Sequence, residues 1–234
     1  MKLLAVESAT PASSVALGEG DRLRAMAVDV DRRSHVGFIG SAFDFCFARA
    51  GWEPGDITAV VVDVGPGLFT GLRAGVAAAQ GVAAAVGVPI VTVSSLDVLA
   101  FRAATGHRRI WAVVDARKGQ VAVRAYRPLP GGVATDGSAE LVRPVELRAQ
   151  IESDSENVLV VGDVAALGDT LQGSRLVRLG RPRFPRADMV LEIGAMKAAR
   201  DEFAAPTHVR PLYMRAPDAA INWKGIREEA LWPQ

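Results

Sequence analysis

Residues 74–96 carry no charged side chain. So long a neutral run must be hidden, either in a bilayer or inside a folded core. Composition decides between the two. The run is built from Ala and Gly, holds Gln80, and is broken by Gly87 and Pro89 before the β-branched stretch at 90–93. Ala and Gly bring little transfer energy, and the break reads as helix, turn, strand rather than as a membrane span. The chain must therefore supply a sheet against which a small-residue helix packs closely.

The rest of the apolar pattern supplies such sheets. Residues 3–6 read as a short buried strand, 7–11 as a polar turn, and 13–17 and 23–30 as two further strands joined through Gly18-Glu19-Gly20-Asp21. A helix over 33–50 closes at Gly51, and 59–64 is a strand without alternation, as expected where both sheet faces are covered. After the Gly65-Pro66-Gly67 turn, Thr70 is the expected cap of a helix running to Val86. Residues 89–93 make another strand, and Ser94-Ser95 caps a short helix through Ala104. The pattern then restarts: strands at 110–114, 120–126 and 139–142, a buried strand at 158–161, and an Ala-rich helix at 187–200. Strand, strand, strand, helix, strand thus occurs twice without a visible sequence repeat, which predicts two stacked α/β halves with mixed sheets. The expected division is 1–105, 106–205 and a tail at 206–234, anchored by Tyr213, Trp223 or Trp232.

Charge and cysteine content narrow the function. Lys plus Arg (27) against Asp plus Glu (26) leave a formal charge of +1, which argues against a stand-alone nucleic-acid binder. A single cysteine excludes a disulfide framework and multi-cysteine metal sites. The amino terminus meets Glu7 too soon for a signal peptide, so a cytoplasmic protein is expected.

Candidate chemistry is sparse. Glu7, Asp63, Asp115 and Asp163 stand at or near strand ends, where sites in open α/β sheets lie, although Asp there often only caps the next turn. His35, His107 and His208 form no metal motif, and Cys46 sits mid-helix between Phe45 and Phe47 as a packing residue. Ser8, Thr10, Ser13 and Ser14 suit either phosphate contact or ordinary turns. The segment from Gly65 through Gly67 and Thr70 to Arg73 joins a strand to a helix through two glycines. That is the build of an anion-cradling helix start, and equally of a tight turn that lets the helix approach the sheet.

Two helices carry more apolar surface than one sheet needs. In the first, Val36, Ile39, Phe43, Cys46, Phe47 and Ala50 form one stripe; Phe38, Ala42 and Phe45 form a second, with His35 and Arg49 beside it. In the next helix Arg73 and Gln80 share a narrow edge, while Gly71, Leu72, Gly75, Val76 and Ala79 leave it apolar almost all round. Those surplus faces predict a helix-bundle contact with another subunit.

The sequence resembles bacterial TsaB (YeaZ-type) proteins. The resemblance rests on Glu7-Ser8-Ala9-Thr10 through Ser14-Val15-Ala16-Leu17, on the specific run from Gly65 to Val76 with Gln80-Gly81-Val82-Ala83, and on Val93-Ser94-Ser95-Leu96, Asp115-Ala116-Arg117 and Pro211-Leu212-Tyr213-Met214-Arg215. It implies a duplicated actin-like ATPase (ASKHA, RNase H-like) fold with two mixed-sheet domains. It also implies a non-catalytic subunit of the machinery that places a threonylcarbamoyl group on adenosine beside the anticodon of tRNAs reading codons that begin with A. In that family a TsaD-type subunit catalyses, a TsaE-type ATPase completes the complex, and the first-domain helices join TsaB to TsaD. The partner residues implied are His35, Phe38, Ala42, Phe45, Arg49, Gly71, Leu72, Gly75, Val76 and Ala79. A nucleotide or anion loop would comprise Glu7, Ser8, Gly65, Gly67, Thr70 and Arg73. No metal and no cofactor of its own are expected, with ATP or ADP at the partner junction as the variant reading. tRNA is expected to be met only through the complex, a homodimer to form when the chain is alone, and no membrane to be involved. Departures from the family pattern (Glu7 for the usual Asp, Leu68 for a polar residue, Gln120 and Ala122 after Asp115-Ala116-Arg117) remove polar groups and favour a scaffold. The alternatives are an active ASKHA-type ATPase or small-molecule kinase, which needs a stronger phosphate hairpin, and a metal-dependent glycopeptidase-like enzyme, which needs a histidine pair.

Overall fold

The structure, a computed structural model, describes residues 1–30 and 35–215; the side chains of His35 and Val36 lie outside the described set. Trp223 and Trp232, expected as tail anchors, also fall outside it. The first half opens with β1 (Lys2–Glu7), β2 (Ser13–Glu19) and β3 (Arg22–Asp29), then α1 (His35–Ala50), β4 (Ala59–Asp63), α2 (Phe69–Val86), β5 (Ile90–Val93) and α3 (Ser95–Ala103). The second has β6 (Arg109–Asp115), β7 (Val121–Leu129), β8 (Gly132–Val142), α4 (Pro144–Asp154), β9 (Val158–Gly162), β10 (Val177–Leu179) and α5 (Ala187–Ala198). The helix α4 and the strand β10 were not foreseen. Alternating charge and few apolar residues hide the first, and three residues are too short a run to signal the second.

Both sheets have five strands, ordered β3-β2-β1-β4-β5 and β10-β9-β6-β7-β8. Read from the opposite end, the second order repeats the first: an antiparallel three-strand meander, then two parallel strands. In each, the parallel pair runs alongside the opening strand, β1 with β4 and β6 with β9. This is the duplicated arrangement of the actin-like ATPase fold.

The first sheet is covered on both faces. On one side Leu4, Val6, Val60 and Val62 meet Ile39, Ala42 and Cys46 of α1 and Val76, Ala79 and Ala83 of α2. On the other, Leu3, Ala5, Val61 and Val91 meet Met189, Val190 and Leu191 of α5. Each fully buried Val or Leu adds roughly 1.5–3 kcal/mol, which explains the unbroken Ala59–Asp63 run. α5 was expected within the second domain at 106–205. Its apolar stripe needs a large sheet face, and the first sheet provides one, with Gly194 seated against Val61. The domain division at 105/106 therefore does not hold for α5, which returns to the first half.

α2 is the one described helix long and apolar enough by length and composition to cross a membrane, with mean hydropathy 1.2. Its packing accounts for that composition instead. Leu72, Val76, Ala79 and Ala83 point into the core, and residues 204–213 run along one flank as a strap. Ala204 bridges to Ile90, Gln80 Nε2 donates to the carbonyls of Pro206 (2.6 Å) and Val209 (3.2 Å), and the Leu212 amide donates to the Val64 carbonyl. Val209 is buried in the same core. The polar edge of the helix thus fastens the strap.

Candidate functional site

The first place to look is the carboxyl end of the parallel pair β1 and β4. Glu7 and Asp63 lie there side by side and wholly enclosed, with Ser8, Thr10, Ser13, Ser14 and Ser95 buried around them. Glu7 Oε1 accepts from the Ala9 amide at 2.8 Å, and Ser14 Oγ points at Oε2 from 3.4 Å. Asp63 Oδ1 accepts from the Gly65 amide and from Ser95 Oγ, both at 2.8 Å. Ser14 Oγ in turn accepts from the Ala187 amide at the start of α5. The two carboxyls thereby fix the starts of α3 and α5, the helices that link the halves. Burial pushes the Asp63 carboxyl up to about 7, against the pull of its two donors and with the Asp97 charge adding to the rise. Burial, and next the neighbouring Asp63, raise Glu7 well above the usual carboxylate range. A pair so enclosed acts as a joint, although Asp63 Oδ2 and the nearby Thr10 hydroxyl are buried without a hydrogen-bond partner among the described residues.

At the expected anion loop the turn packs directly on the chain's own residues 8–9. The space where a Cβ on Gly67 would sit holds the Ala9 carbonyl oxygen, 2.0 Å from that position. The Leu68 amide donates to the same oxygen at 2.6 Å, and Ser8 Oγ donates to the Gly71 carbonyl at 2.8 Å. The glycines therefore let the turn lie directly on residues 8–9, which already engage the Leu68 amide. Of the six loop residues, Glu7, Ser8 and Gly65 are buried, Gly67 is half-buried, and Thr70 and Arg73 are exposed. Thr70 is not the cap of α2; Leu68 holds the N-cap position and makes no side-chain cap. Arg73 leans away from the loop, its guanidinium 3.7 Å over the Phe69 ring and its Nε donating to the Tyr213 hydroxyl at 2.9 Å.

At the end of the second half's opening strand, Asp115 is paired with Arg117 of the next turn and accepts from its amide. Among the described residues no group of three or more His, Cys, Asp or Glu is placed to hold a metal ion. Cys46 is buried, and burial pushes its thiol up to about 11, away from reactivity.

A different surface stands out: the outer layer made by α1 and α2 side by side. Six of the ten expected partner residues are sealed inside the chain: Ala42, Gly71, Leu72, Gly75, Val76 and Ala79. Their stripes face the sheet because β1, β2 and β4 offer the larger apolar area. A Cβ on Gly75 would even lie 2.2 Å from Ser8 Oγ. Phe38 is half-buried against the core, Phe45 is 51% exposed, Arg49 is exposed, and the His35 side chain is outside the described set. The residues that do face outward are Gly37, Gly40, Ser41, Asp44 and Ala48 on α1, and Ala77, Gly81 and Ala84 on α2. They lie one helical step from those chosen by sequence. Open space around Gly81 and Gly40 was the missing signal, and it is a tertiary one.

Comparison with known proteins agrees with this architecture. A family model described as TsaD, tRNA N6-adenosine threonylcarbamoyltransferase, matches residues 29–223. The tRNA threonylcarbamoyladenosine biosynthesis protein TsaB of Escherichia coli (strain K12) is 31% identical over 231 residues, covering 97% of this chain and 98% of the relative. TsaB of Haemophilus influenzae is 33% identical, covering 97% of each. The crystal structure of a Pseudomonas aeruginosa protein with similarity to peptidase YEAZ superposes with a TM-score of 0.81 at 27% identity, over 92% of this chain and 99% of that one. With near-complete coverage by such relatives and the repeated sheet order, this chain belongs to the TsaB (YeaZ-type) family, within the wider group that the TsaD family model describes.

Proposed function

We propose that this chain serves in threonylcarbamoyladenosine formation on tRNA as a non-catalytic cytoplasmic subunit, binding and activating a TsaD-type catalytic subunit through the outer face of α1 and α2. One observation carries the reading. The face that a lone helix pair would present to water as Lys and Glu is instead mostly Gly, Ala and Ser, with Asp44 and Arg49 as its charged members and Phe45 beside them. Small outward side chains let a second helix pair approach to the short end of the usual 8–10 Å separation, and Phe45 provides an apolar anchor. The buried Glu7–Asp63 joint and the close Gly67 turn support a scaffold reading over an ATPase. A TsaE-type ATPase would join the same assembly.

The test is co-elution with a TsaD-type partner. Phe45→Asp and Gly81→Leu are expected each to weaken binding by at least tenfold while the chain unfolds at an unchanged urea midpoint. Retained co-elution by both variants would sink the assignment of the face. A chain that runs as a stable dimer alone, and whose dimer survives the partner's addition, would favour self-pairing of the same surface.

A further inference from the structure

The net charge of +1 conceals a local imbalance. Between Asp169 and Asp188 the chain has no acidic residue and five arginines: Arg175, Arg178, Arg181, Arg183 and Arg186. Arg186 pairs with Asp188. The other four have no ion-pair partner among the described residues, whereas Arg24, Arg109, Arg127 and Arg148 stand against carboxylates. Arg22, Arg49 and Arg108 elsewhere also have none, but they are scattered, whereas these four fall within residues 175–183. Arg175, Arg178 and Arg181 are exposed, and the Nη1 of the half-buried Arg183 has no hydrogen-bond partner.

These residues follow one border of the molecule. β10 is the outermost strand of the second sheet, bonded to β9 through Val177–Leu179. The border continues as the Gly180 amide donates to Val160 and the Gly162 amide to the Pro182 carbonyl, each at 2.8 Å. The arginines therefore follow this border toward the carboxyl end of the sheet, Arg178 within the strand and Arg175, Arg181 and Arg183 in the bends that flank it. Edge strands often carry a charge to block pairing with other strands, but that explains Arg178 alone, since the others flank the strand. Unneutralised guanidinium groups gathered along one border match a run of phosphates, each able to take a forked pair of hydrogen bonds.

We propose that this arginine border binds the phosphate backbone of tRNA directly. The inference rests on the reading above for the identity of the polyanion. It departs from the expectation that tRNA is met only through partners. The border lies in the other half of the molecule from α1 and α2, so both surfaces can be engaged together.

The experiment measures tRNA affinity of the full chain, alone and with a TsaD-type partner, across a salt series. Four lost phosphate contacts lower the slope of log K against log salt by about 3. That drop is expected for the Arg175→Gln/Arg178→Gln/Arg181→Gln/Arg183→Gln variant. It is not expected when the same charge is removed at Arg24, Arg143, Arg148 and Arg200. Should the quadruple variant fold poorly, Arg175→Gln and Arg181→Gln, both outside the strand, are each expected to lower the slope by about 1. An unchanged slope in folded variants that still co-elute with the partner overturns the inference and leaves the partner reading intact. Loss of slope equal to that of the control set overturns it as a net-charge effect. Binding of vesicles containing phosphatidylserine in place of tRNA overturns it in favour of a membrane surface. Failure to co-elute with the partner, with arginine-dependent tRNA binding retained, counts against the partner reading and supports the border.

Discussion

In the first half, the helix after the third strand turns Gly37, Gly40, Ser41 and Ala48 outward. In the second half the helix at the same topological place, α4, is dressed for water. Its exposed side carries the Arg143–Glu146 and Arg148–Glu152 pairs, at 2.6 and 2.8 Å. The next crossover differs as well. β4 reaches β5 through the eighteen-residue α2, whereas β9 is followed by a single short turn over Val164–Leu167 on the way to β10. Shared strand order thus fixes the frame, while the helix layer is free to specialise. One half keeps an ordinary solvated surface and the other keeps a surface suited to close helix contact.

The comparison breaks first at its backbone contacts. Gly67 in the first half and Gly162 in the second each lie where a Cβ would strike a carbonyl oxygen, that of Ala9 at 2.0 Å and that of Val113 at 2.1 Å. Gly162 also holds φ +95, a region closed to other residues. Gly67→Ala and Gly162→Ala are each expected to cost about 3 kcal/mol or more in urea unfolding. If either is neutral, the claim that both sheets rely on a close approach at that end is wrong.

Next comes the buried carboxyl joint, which the second half lacks, since Asp115 is only half-buried and paired with Arg117. Asp63 is raised to about 7 in the folded chain and lies near 3.9 when unfolded, so the folded state holds the extra proton between those values. The contribution of Asp63 to stability is therefore full below about pH 4, falls as pH rises toward 7, and is flat beyond. Glu7 adds to the fall with the same sign. Asp63→Asn keeps the acceptor for Gly65 and Ser95 and is expected to flatten this decline, gaining on the order of 1–3 kcal/mol at pH 8 relative to pH 4. If the stability difference between Asp63→Asn and wild type does not change between pH 4 and pH 8, the joint is wrongly described.

Smaller effects sharpen the contrast. Gln80→Ala removes the donor to two strap carbonyls and is expected to cost about 1–2 kcal/mol, with faster amide exchange over residues 204–213. Arg148→Ala on the solvated helix of the other half is expected to change stability by less than about 0.5 kcal/mol. A larger loss there would mean that α4 is not the plain surface it looks.

Much of this was legible beforehand because it depends on local pattern. The run Ala59–Asp63 had to be a doubly covered strand, and Ser94 does cap α3, its hydroxyl accepting from the Leu96 amide. The site was read less well. Arg73 and Gln80 were placed correctly on one edge of α2, but nothing local says that the strap, 126 and 140 residues further on, takes both. Gly75 looked like an interface residue and is a seat for Ser8, because a glycine needed for a neighbour inside the chain reads the same as one needed for a neighbour outside.

Periodicity, turn residues and apolar runs, which act over a few residues, determined on their own that this chain makes two copies of one mixed-sheet pattern with a greasy helix between strands. Tertiary structure alone decided which side of that helix is left bare, that α5 crosses back to the first sheet, and that four arginines stay unpaired along one border. Those outcomes turn on which distant surfaces bury the most area and neutralise the most charge. That competition is settled only once the whole chain has packed.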